Sequence, residues 1–223
     1  MASNLKNENT PLNIHNPATL DLLMSRRSVK AKDMIDPGPD RETLEAILKA
    51  GLRVPDHGKL TPWRFIVLEG DDREKLGDMI AEALIKENNT SEKIAEKMKG
   101  YATQGPTLVI AIFSPSNDRP IPIWEQWLSM GASCQNILIA ATALNVASQW
   151  LTGWASTSRS VAAGLGLSEM EQIAGFIFLG TQKDTPDERP RPAPLDHIDF
   201  GLPKAKNPKP GNPEPAIPET DIP

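Results

Sequence analysis

The longest predicted helix constrains the fold most strongly, because almost no side of it is polar. It begins at Pro122 and reaches to about Asn145. Its second half is apolar nearly all round and rich in small residues: Gly131, Ala132, Ser133, Ala140, Ala141 and Ala143. Such a helix must be covered on every side. In a chain of 223 residues a partner subunit is a natural cover, so we expect a homodimer.

Charge, polarity and cysteine content exclude several classes of protein. The apolar stretch at residues 130–147 is interrupted by serine, glutamine and asparagine, so it is a poor membrane span. The net charge of -5 argues against a nucleic-acid partner, which needs a basic face. A single cysteine, Cys134, excludes a disulfide framework and a cysteine zinc site. The single cysteine, together with a polar N-terminus that lacks a signal peptide, predicts a cytoplasmic protein without a structural metal.

Sequence periodicity predicts helices that alternate with a few strands. Asn16 and Pro17 predict the start of a first helix, and Asp40 predicts the cap of a second. The face of that second helix carries Leu44, Ile47, Leu48, Gly51 and Leu52. Short apolar runs predict buried strands at residues 64–68, 107–113, 148–152 and 173–181. This order predicts an α+β fold, with one central sheet and helices on both faces.

Composition divides the chain into three segments. Residues 1–16 are predicted to be a flexible N-terminal arm, and residues 17–183 the folded domain. Eleven of the 21 prolines lie beyond Asp184. Because proline disrupts helices and central strands, residues 184–223 are predicted to be an extended C-terminal arm.

No metal, phosphate-loop, dinucleotide or nucleophile-elbow motif is present, so a cofactor is expected to carry any reaction. The first candidate group is Arg26, Arg27 and Ser28, which follow a helix end. Two guanidinium groups and a hydroxyl suit a phosphate monoester or a flavin edge. The alternative is a solvated basic helix end that complements the helix dipole.

Two further groups fit the same cofactor. Arg53 and His57 lie in a loop region between core elements, where they would contact a planar anionic ligand or simply connect those elements. Trp150, Leu151 and Thr152 end a predicted strand. They would border a flat ring, or form a core strand with one buried tryptophan.

These segments together resemble the nitroreductase family. Residues 25–30 (SRRSVK) resemble its RRSxR signature, and residues 44–63 resemble its second block, closest to the short-chain NAD(P)H nitroreductases with an AGxRAPDH segment. The segments IWEQ and 130–144 resemble the family's long dimer helix. The segment QWLTG resembles the strand that lines the flavin, and GFIFLG resembles the closing strand. The resemblance runs from about Leu20 to Thr181 in the family's order.

The resemblance implies the nitroreductase-like fold: a mixed, mainly antiparallel sheet in an intertwined homodimer, with FMN at the subunit interface. NAD(P)H would pass hydride through flavin N5 to a nitroaromatic, quinone or similar acceptor in a ping-pong cycle. Arg26, Arg27 and Ser28 would hold the FMN phosphate and ribityl oxygens from one subunit. Arg53 and His57 would reach the same FMN from the other.

The resemblance also implies that Trp150, Leu151 and Thr152 line the flavin, mostly through their backbone. Arg189 and Arg191 are candidates for a further phosphate contact. Lys30 departs from the family pattern, because many relatives have arginine there. The loop at residues 57–60 also departs from that pattern.

Other functions remain open at this stage. Relatives on this fold carry out other flavin chemistry, as flavin destructases, azoline dehydrogenases or dehalogenases. A non-catalytic dimeric scaffold that docks through the proline-rich arm is an alternative of another class.

Overall fold

A computed structural model describes residues 14–194 and 197–202 of the chain. The chain divides into two compact units, Met1–Pro186 and Asp187–Pro223. Most of the predicted N-terminal arm (residues 1–13) and the distal part of the predicted C-terminal arm (residues 203–223) lie outside the described residues. The proposed segment boundaries at residues 16 and 183 therefore stay predictions.

The first two helices begin where their capping residues predict. The helices are α1 Pro17–Ser25, α2 Arg41–Gly51, α3 Asp71–Asn88, α4 Glu92–Lys99, α5 Ile123–Ala143, α6 Trp154–Thr157 and α7 Arg159–Gly164. Short 3-10 turns occupy Ala31–Asp33 and His57–Lys59. The Asn16 side chain accepts from the Thr19 backbone N–H at 3.1 Å, and Asp40 accepts from Thr43 at 2.8 Å. Each bond satisfies an N–H that the first helical turn leaves open.

The strands form one sheet in which every pairing among the described residues is antiparallel. The strands are β1 Met34–Ile35, β2 Trp63–Glu69, β3 Thr107–Phe113, β4 Ala147–Leu151 and β5 Gln172–Gln182. β5 pairs with β1, β3 and β4, and β3 also pairs with β2. The mainly antiparallel sheet is confirmed, and no parallel pair occurs within residues 14–194.

The sheet separates two hydrophobic cores, which confirms helices on both faces. Alternate residues of β3 point to opposite sides: Leu108 and Ile110 enter the first core, and Val109 and Ala111 enter the second. The first core is completed by α3, α6 and α7, and the second by α2 and α5. Because strand side chains alternate with a period of two, a fully buried strand supplies both cores.

A β-bulge in β5 shifts which residues enter each core. Ala111 pairs with Gly175 and Ile112 with Ile173, so Ala174 is the extra residue. The bulged carbonyl of Ala174 accepts a hydrogen bond from Trp150 Nε1 at 3.2 Å. A bulge leaves one residue outside the ladder, and this indole supplies the missing partner.

Three sequence predictions need correction. β2 is half-buried at the sheet edge rather than a buried strand, because only β3 pairs with it. Leu52 is 45% exposed, since α2 ends at Gly51 and Leu52 leaves the buried face. The sequence also predicts a mostly polar helix from Thr90 or Ser91 through Met98 as an exposed excursion, but in α4 Ala95 is buried and Lys99 packs against Gly77 of α3.

The bounds of the long helix α5 agree with those expected, and the residues that the structure describes do not cover it on every side. Its buried face carries Met130, Cys134 and Ile137, all at 0% exposure. Trp124 and Leu128, one turn apart, are 60% and 64% exposed. No helix among the described residues is long and apolar enough to cross a membrane. The same part of the chain contains no cluster of three or more His, Cys, Asp or Glu side chains placed to hold a metal ion.

Candidate functional site

Arg26, Arg27 and Ser28 form a half-buried segment directly after α1. We call residues 26–28 the first basic segment. Arg26 caps the helix with extended torsion angles (φ -57°, ψ 140°), so the chain leaves the helical path there. Arg26 Nη2 donates to Ser28 Oγ at 3.2 Å. The structure therefore brings a guanidinium and a hydroxyl together, as phosphate recognition requires.

The residues after this segment attach it to β4. The Val29 N–H donates to the Ser148 carbonyl at 3.2 Å, and the Ala31 N–H donates to Gln149 Oε1 at 2.6 Å. Val29 and Ala31 are both buried. The first predicted group is thus attached to β4, the strand that ends at the third predicted group. The two groups are far apart in sequence, so the sequence does not show this arrangement.

The three residues of the third group have different environments. The Trp150 side chain is half-buried and packs against the second core, and its indole N–H is bonded to the bulge. Leu151 is half-buried beside the first core. Thr152 lies just past the end of β4 and is exposed. The aromatic ring that the sequence suggested as a border for a flat ligand is therefore held against the core by a hydrogen bond to the bulge.

Arg53 lies in the turn after α2 and is exposed. The turn is tied to α5 by Asn136, whose Nδ2 donates to the carbonyls of Ala50 and Arg53 at 3.2 and 2.9 Å. The Arg53 guanidinium has no hydrogen bond or ion pair within the described residues. A fixed backbone with an uncommitted cation suits recognition of an anionic ligand.

His57 lies in a tight loop, residues 55–62, which we call the His57 loop. Asp56 holds its backbone, because its carboxylate accepts from the N–H groups of Leu60 and Thr61 at 3.0 and 2.9 Å. Lys59 and Thr61 adopt left-handed torsion angles, with φ of 57° and 50°. Non-glycine residues reach this region only at an energetic cost, and such positions cluster at functional sites.

α5 supports the His57 loop with two polar side chains, Ser129 and Glu125. Ser129 is 6% exposed and donates to the Pro55 carbonyl at 2.7 Å, while it accepts from Trp63 Nε1 at 3.0 Å. Glu125 Oε2 lies 2.7 Å from His57 Nδ1. Together with Asn136, these side chains connect the second predicted group to one helix.

The two basic groups are held by different elements of the chain. The residues after the first group are bonded to β4, and the second group is bonded to α5. One copy of the chain therefore presents two candidate cofactor-binding groups on different elements.

The second compact unit, residues 187–223, is considered separately. There the Arg189 N–H donates to Glu188 Oε1 at 2.8 Å, and Arg191 Nη2 lies 3.5 Å from the same oxygen. Both arginines are exposed. A role for either in phosphate binding stays a prediction.

Comparison with known proteins places this arrangement in a family. A family model described as "Nitroreductase family" matches residues 23–181. This chain belongs to the nitroreductase family. An Escherichia coli (strain K12) protein named "Putative NAD(P)H nitroreductase YdjA" is 32% identical over 162 residues, which cover 73% of this chain and 87% of the relative. A Haemophilus influenzae protein named "Putative NAD(P)H nitroreductase" is 32% identical over 164 residues, with the same coverage.

Solved structures confirm the nitroreductase-like fold. A nitroreductase-like family protein from Bacillus cereus superposes with a TM-score of 0.70 at 20% identity, covering 85% of this chain and 98% of the other. A structure from Desulfovibrio desulfuricans, described as a "putative nitroreductase" in complex with FMN, has a TM-score of 0.65 at 19% identity. It covers 85% of this chain and 100% of its own.

Two other features of this nitroreductase-family chain do not contribute to the site. Cys134 is buried in the second core, and burial raises the pKa of its thiol to about 12, so it is a core residue and not a nucleophile. A surface groove of about 510 Å³ lies between α3 and α7. Its lining includes Lys75, Asp78, Glu82 and Lys86 but none of the predicted site residues.

Proposed function

We propose that the chain is an FMN-dependent oxidoreductase that passes hydride from NAD(P)H to a nitroaromatic, quinone or similar acceptor by a ping-pong mechanism. The observation that carries the proposal is the Arg26–Ser28 contact beside β4, in a chain of the nitroreductase family. The name of the Escherichia coli relative supports NAD(P)H as the co-substrate. Solved structures of similar fold with bound FMN, from Desulfovibrio desulfuricans and Bacteroides fragilis, support the cofactor.

The chemistry of the donors in this chain fits a flavin mononucleotide. Arg26, Arg27 and Ser28 offer guanidinium and hydroxyl donors to phosphate and ribityl oxygens. Arg53 adds a further cation, and His57 a ring nitrogen. Such preorganised positive charge stabilises an anionic ligand more effectively than water does.

When bound, the flavin supplies the hydride chemistry, so the protein needs no side-chain nucleophile. The chain's own residues bind and orient the cofactor. The backbone of Trp150 and Leu151, with Thr152, would limit how closely the flavin approaches β4. The fixed bulge at Ala174 keeps that strand edge in place.

We propose that the active unit is a homodimer in which each FMN lies between subunits. The exposed Trp124 and Leu128 on α5 would be covered by the partner, as expected for an apolar helix face. Leu20, Leu23 and Met24 on α1 are exposed as well. Arg53 and His57 of one subunit would then complete the site that Arg26 and Ser28 of the other begin.

The cofactor is tested by an absorbance spectrum of the purified protein, followed by release and identification of the chromophore. We expect the bands of oxidised flavin and one FMN for each chain. Arg26→Ala should weaken FMN binding about 10–100-fold, the range for lost charged hydrogen bonds. Arg41→Ala is the matched control, because Arg41 makes only an exposed ion pair with Glu45. A colourless protein with no affinity for added FMN would favour the scaffold hypothesis.

The shared site is tested by mixing two defective variants. Arg26→Ala and Arg53→Ala each impair every site in a homodimer. If the two residues come from different subunits, a random mixture restores roughly a quarter of the sites, because half of the dimers are mixed and each has one intact site. If both residues serve one site from the same chain, mixing restores none.

The dimer surface is tested independently of flavin. Leu128→Glu places a charge on the exposed apolar stripe of α5, and we expect it to shift the protein to monomers in analytical ultracentrifugation. Ile94→Glu is the control, because Ile94 is similarly exposed at 57% but lies on α4. A Leu128→Glu variant that remains fully dimeric would contradict this interface.

A further inference from the structure

The contact between His57 and Glu125 indicates which nitrogen of the imidazole ring carries the proton. His57 Nδ1 and Glu125 Oε2 are 2.7 Å apart, although the residues are 68 positions apart in sequence. An ionised carboxylate can only accept a hydrogen bond, so Nδ1 carries the proton in this contact. In the neutral ring Nε2 is then unprotonated and acts as an acceptor.

Both partners are fixed by neighbouring groups before they meet. Glu125 lies in the first turn of α5, where the helix dipole favours a carboxylate. The next residue, Gln126, is 3% exposed and bonds the backbone of Ser116 and Ile121, which fixes this end of the helix. His57 follows Asp56, whose carboxylate holds the loop backbone. The ring and the carboxylate are therefore carried by elements that have further hydrogen bonds of their own.

A glycine permits the close approach of the His57 loop to the segment before α5. Gly58 adopts a left-handed φ of 77°. A Cβ atom at this position would lie 3.1 Å from the Arg119 side chain and 3.3 Å from that of Ile121. The turn that presents His57 to Glu125 thus requires the residue without a side chain.

The pair is too exposed for its main effect to be stability. The His57 side chain is 64% exposed and that of Glu125 is 29% exposed. Ion pairs with such exposed partners contribute little to the free energy of folding. Orientation of the ring is the consequence that remains, because one specific nitrogen is committed to the carboxylate.

We propose that Glu125 is a positioning residue: it holds His57 as the Nδ1–H tautomer, so that Nε2 accepts a hydrogen bond from a donor group of the flavin cofactor. This inference rests on the proposed function, because it takes His57 as an FMN contact. A flavin mononucleotide offers suitable donors in its ribityl hydroxyls and its ring N3–H. The carboxylate acts through the imidazole and need not touch the cofactor.

The tautomer is measured directly by nitrogen-15 NMR of the imidazole rings, in protein without flavin and at a pH where the ring is neutral. The chain has three histidines, and His57→Asn identifies the His57 signal. We expect the Nδ1–H form to dominate in the wild type and to lose its dominance in Glu125→Ala. Glu125→Gln should restore it, because an amide oxygen also accepts a hydrogen bond. Glu92→Gln, an exposed first-turn glutamate of α4, is the control and should leave the tautomer unchanged.

The link to the cofactor is measured as the Kd for FMN by fluorescence quenching. Glu125→Ala should weaken binding about five-fold, the factor for one typical net hydrogen bond, and Glu125→Gln should recover most of the loss. In a His57→Ala background, Glu125→Ala should have no further effect, since it acts through the ring. Thermal melting of each variant shows whether the fold is retained.

The outcomes separate this proposal from the proposed function. An unchanged tautomer in Glu125→Ala, or an equal loss of affinity with and without His57, would overturn the positioning role while FMN binding stands. A wild-type protein that keeps the Nδ1–H tautomer but binds no FMN would overturn the proposed function, and with it the role toward flavin.

Discussion

The two halves of the candidate site are held in place by different elements. The first basic segment is attached to the sheet by the residues that follow it, since the Val29 N–H donates to a backbone carbonyl of β4 and the Ala31 N–H donates to the side chain of Gln149. The His57 loop is attached to a helix through side chains, since Ser129 and Glu125 of α5 bond to it. One half depends on how β4 packs on β5. The other depends on the buried hydroxyl of Ser129 and on the partly exposed carboxylate of Glu125.

This difference means that each half can be perturbed without the other. A steric clash beside β4 should displace the first basic segment and leave the His57 loop attached to α5. A lost hydrogen bond under the His57 loop should free that loop and leave β4 unchanged. Sites that share no partners usually contribute additively to stability, and this expectation makes the comparison testable.

The largest effect is expected from Gly175→Ala, which introduces a steric clash with β4, the strand to which the first half is attached. A Cβ atom there would overlap the Trp150 indole nitrogen and lie 2.9 Å from the Leu151 carbonyl oxygen. The indole cannot move away without losing its bond to Ala174, so we expect a loss of about 3 kcal/mol. Urea denaturation measures this loss. Gly100→Ala is the control, because its nearest neighbour would be 3.7 Å away; equal stabilities for the two variants would contradict the account.

A smaller effect is expected from Ser129→Ala, which removes the support of the His57 loop. The substitution leaves the Pro55 carbonyl and Trp63 Nε1 without their partner, and we expect a loss of about 2 kcal/mol in the free energy of unfolding. Hydrogen exchange should rise at residues 55–62 and stay unchanged in β4. Thr142→Ala is the control, because its hydroxyl bonds only to a carbonyl one turn earlier in the same helix. Increased exchange in β4 would show that the halves are not independent.

As the pH falls, β2, the strand that follows the His57 loop, should lose stabilisation before β4 does. Arg64 of β2 forms a two-point ion pair with Glu171, at 2.5 and 3.0 Å, just before β5. This contact, with help from the Ser168 N–H and the Ser114 hydroxyl, lowers the pKa of Glu171 from 4.5 to about 2 although burial opposes it. A lowered pKa in the folded state means that the stabilisation is complete above pH 4.5 and is lost as the pH falls toward 2.

Glu171→Gln should therefore cost about 1–2 kcal/mol at pH 7, a range reduced from the full shift because Arg64 is 41% exposed. The difference in melting temperature between wild type and variant should shrink as the pH falls from 4.5 toward 2. Glu45→Gln is the control, because Glu45 makes only exposed pairs on α2. A difference that stays constant down to pH 2 would contradict the assigned cause.

Local signals in the sequence predicted the elements but not all of their surroundings. Capping residues such as Asp40 predicted helix starts because the cap is a bond between near neighbours. The apolar run of β3 predicted a central strand because both of its faces meet a core. The run of β2 looks the same in sequence, yet β2 is an edge strand, because only the pairing order decides this. The bulge at Ala174 is equally hidden, since a continuous apolar run has no alternation to interrupt.

The candidate site was predicted as separate groups, and its supporting residues were missed. Asn136 was interpreted only as a polar interruption of an apolar stretch, Glu125 only as part of the IWEQ segment, and Ser129 was given no role. Their spacings of four and seven residues place them on one face of α5, and that periodicity was the available signal. The partners of this stripe could not be predicted, because the Pro55 and Arg53 carbonyls belong to backbone and carry no side-chain signature.

The smallest effect is expected from Gln149→Ala, and it decides whether the halves are independent. Ala31 is 1% exposed, so without Gln149 Oε1 its N–H loses a partner that water replaces poorly, and we expect a loss of about 1 kcal/mol. Gln149→Glu should retain most of the stability, because a carboxylate also accepts, and Gln172→Ala at the exposed start of β5 is the control. In the double variant with Ser129→Ala, the two losses should add to within about 0.5 kcal/mol. A coupling energy above about 1 kcal/mol would show that β4 and α5 hold the two half-sites as one unit, and the comparison would fail.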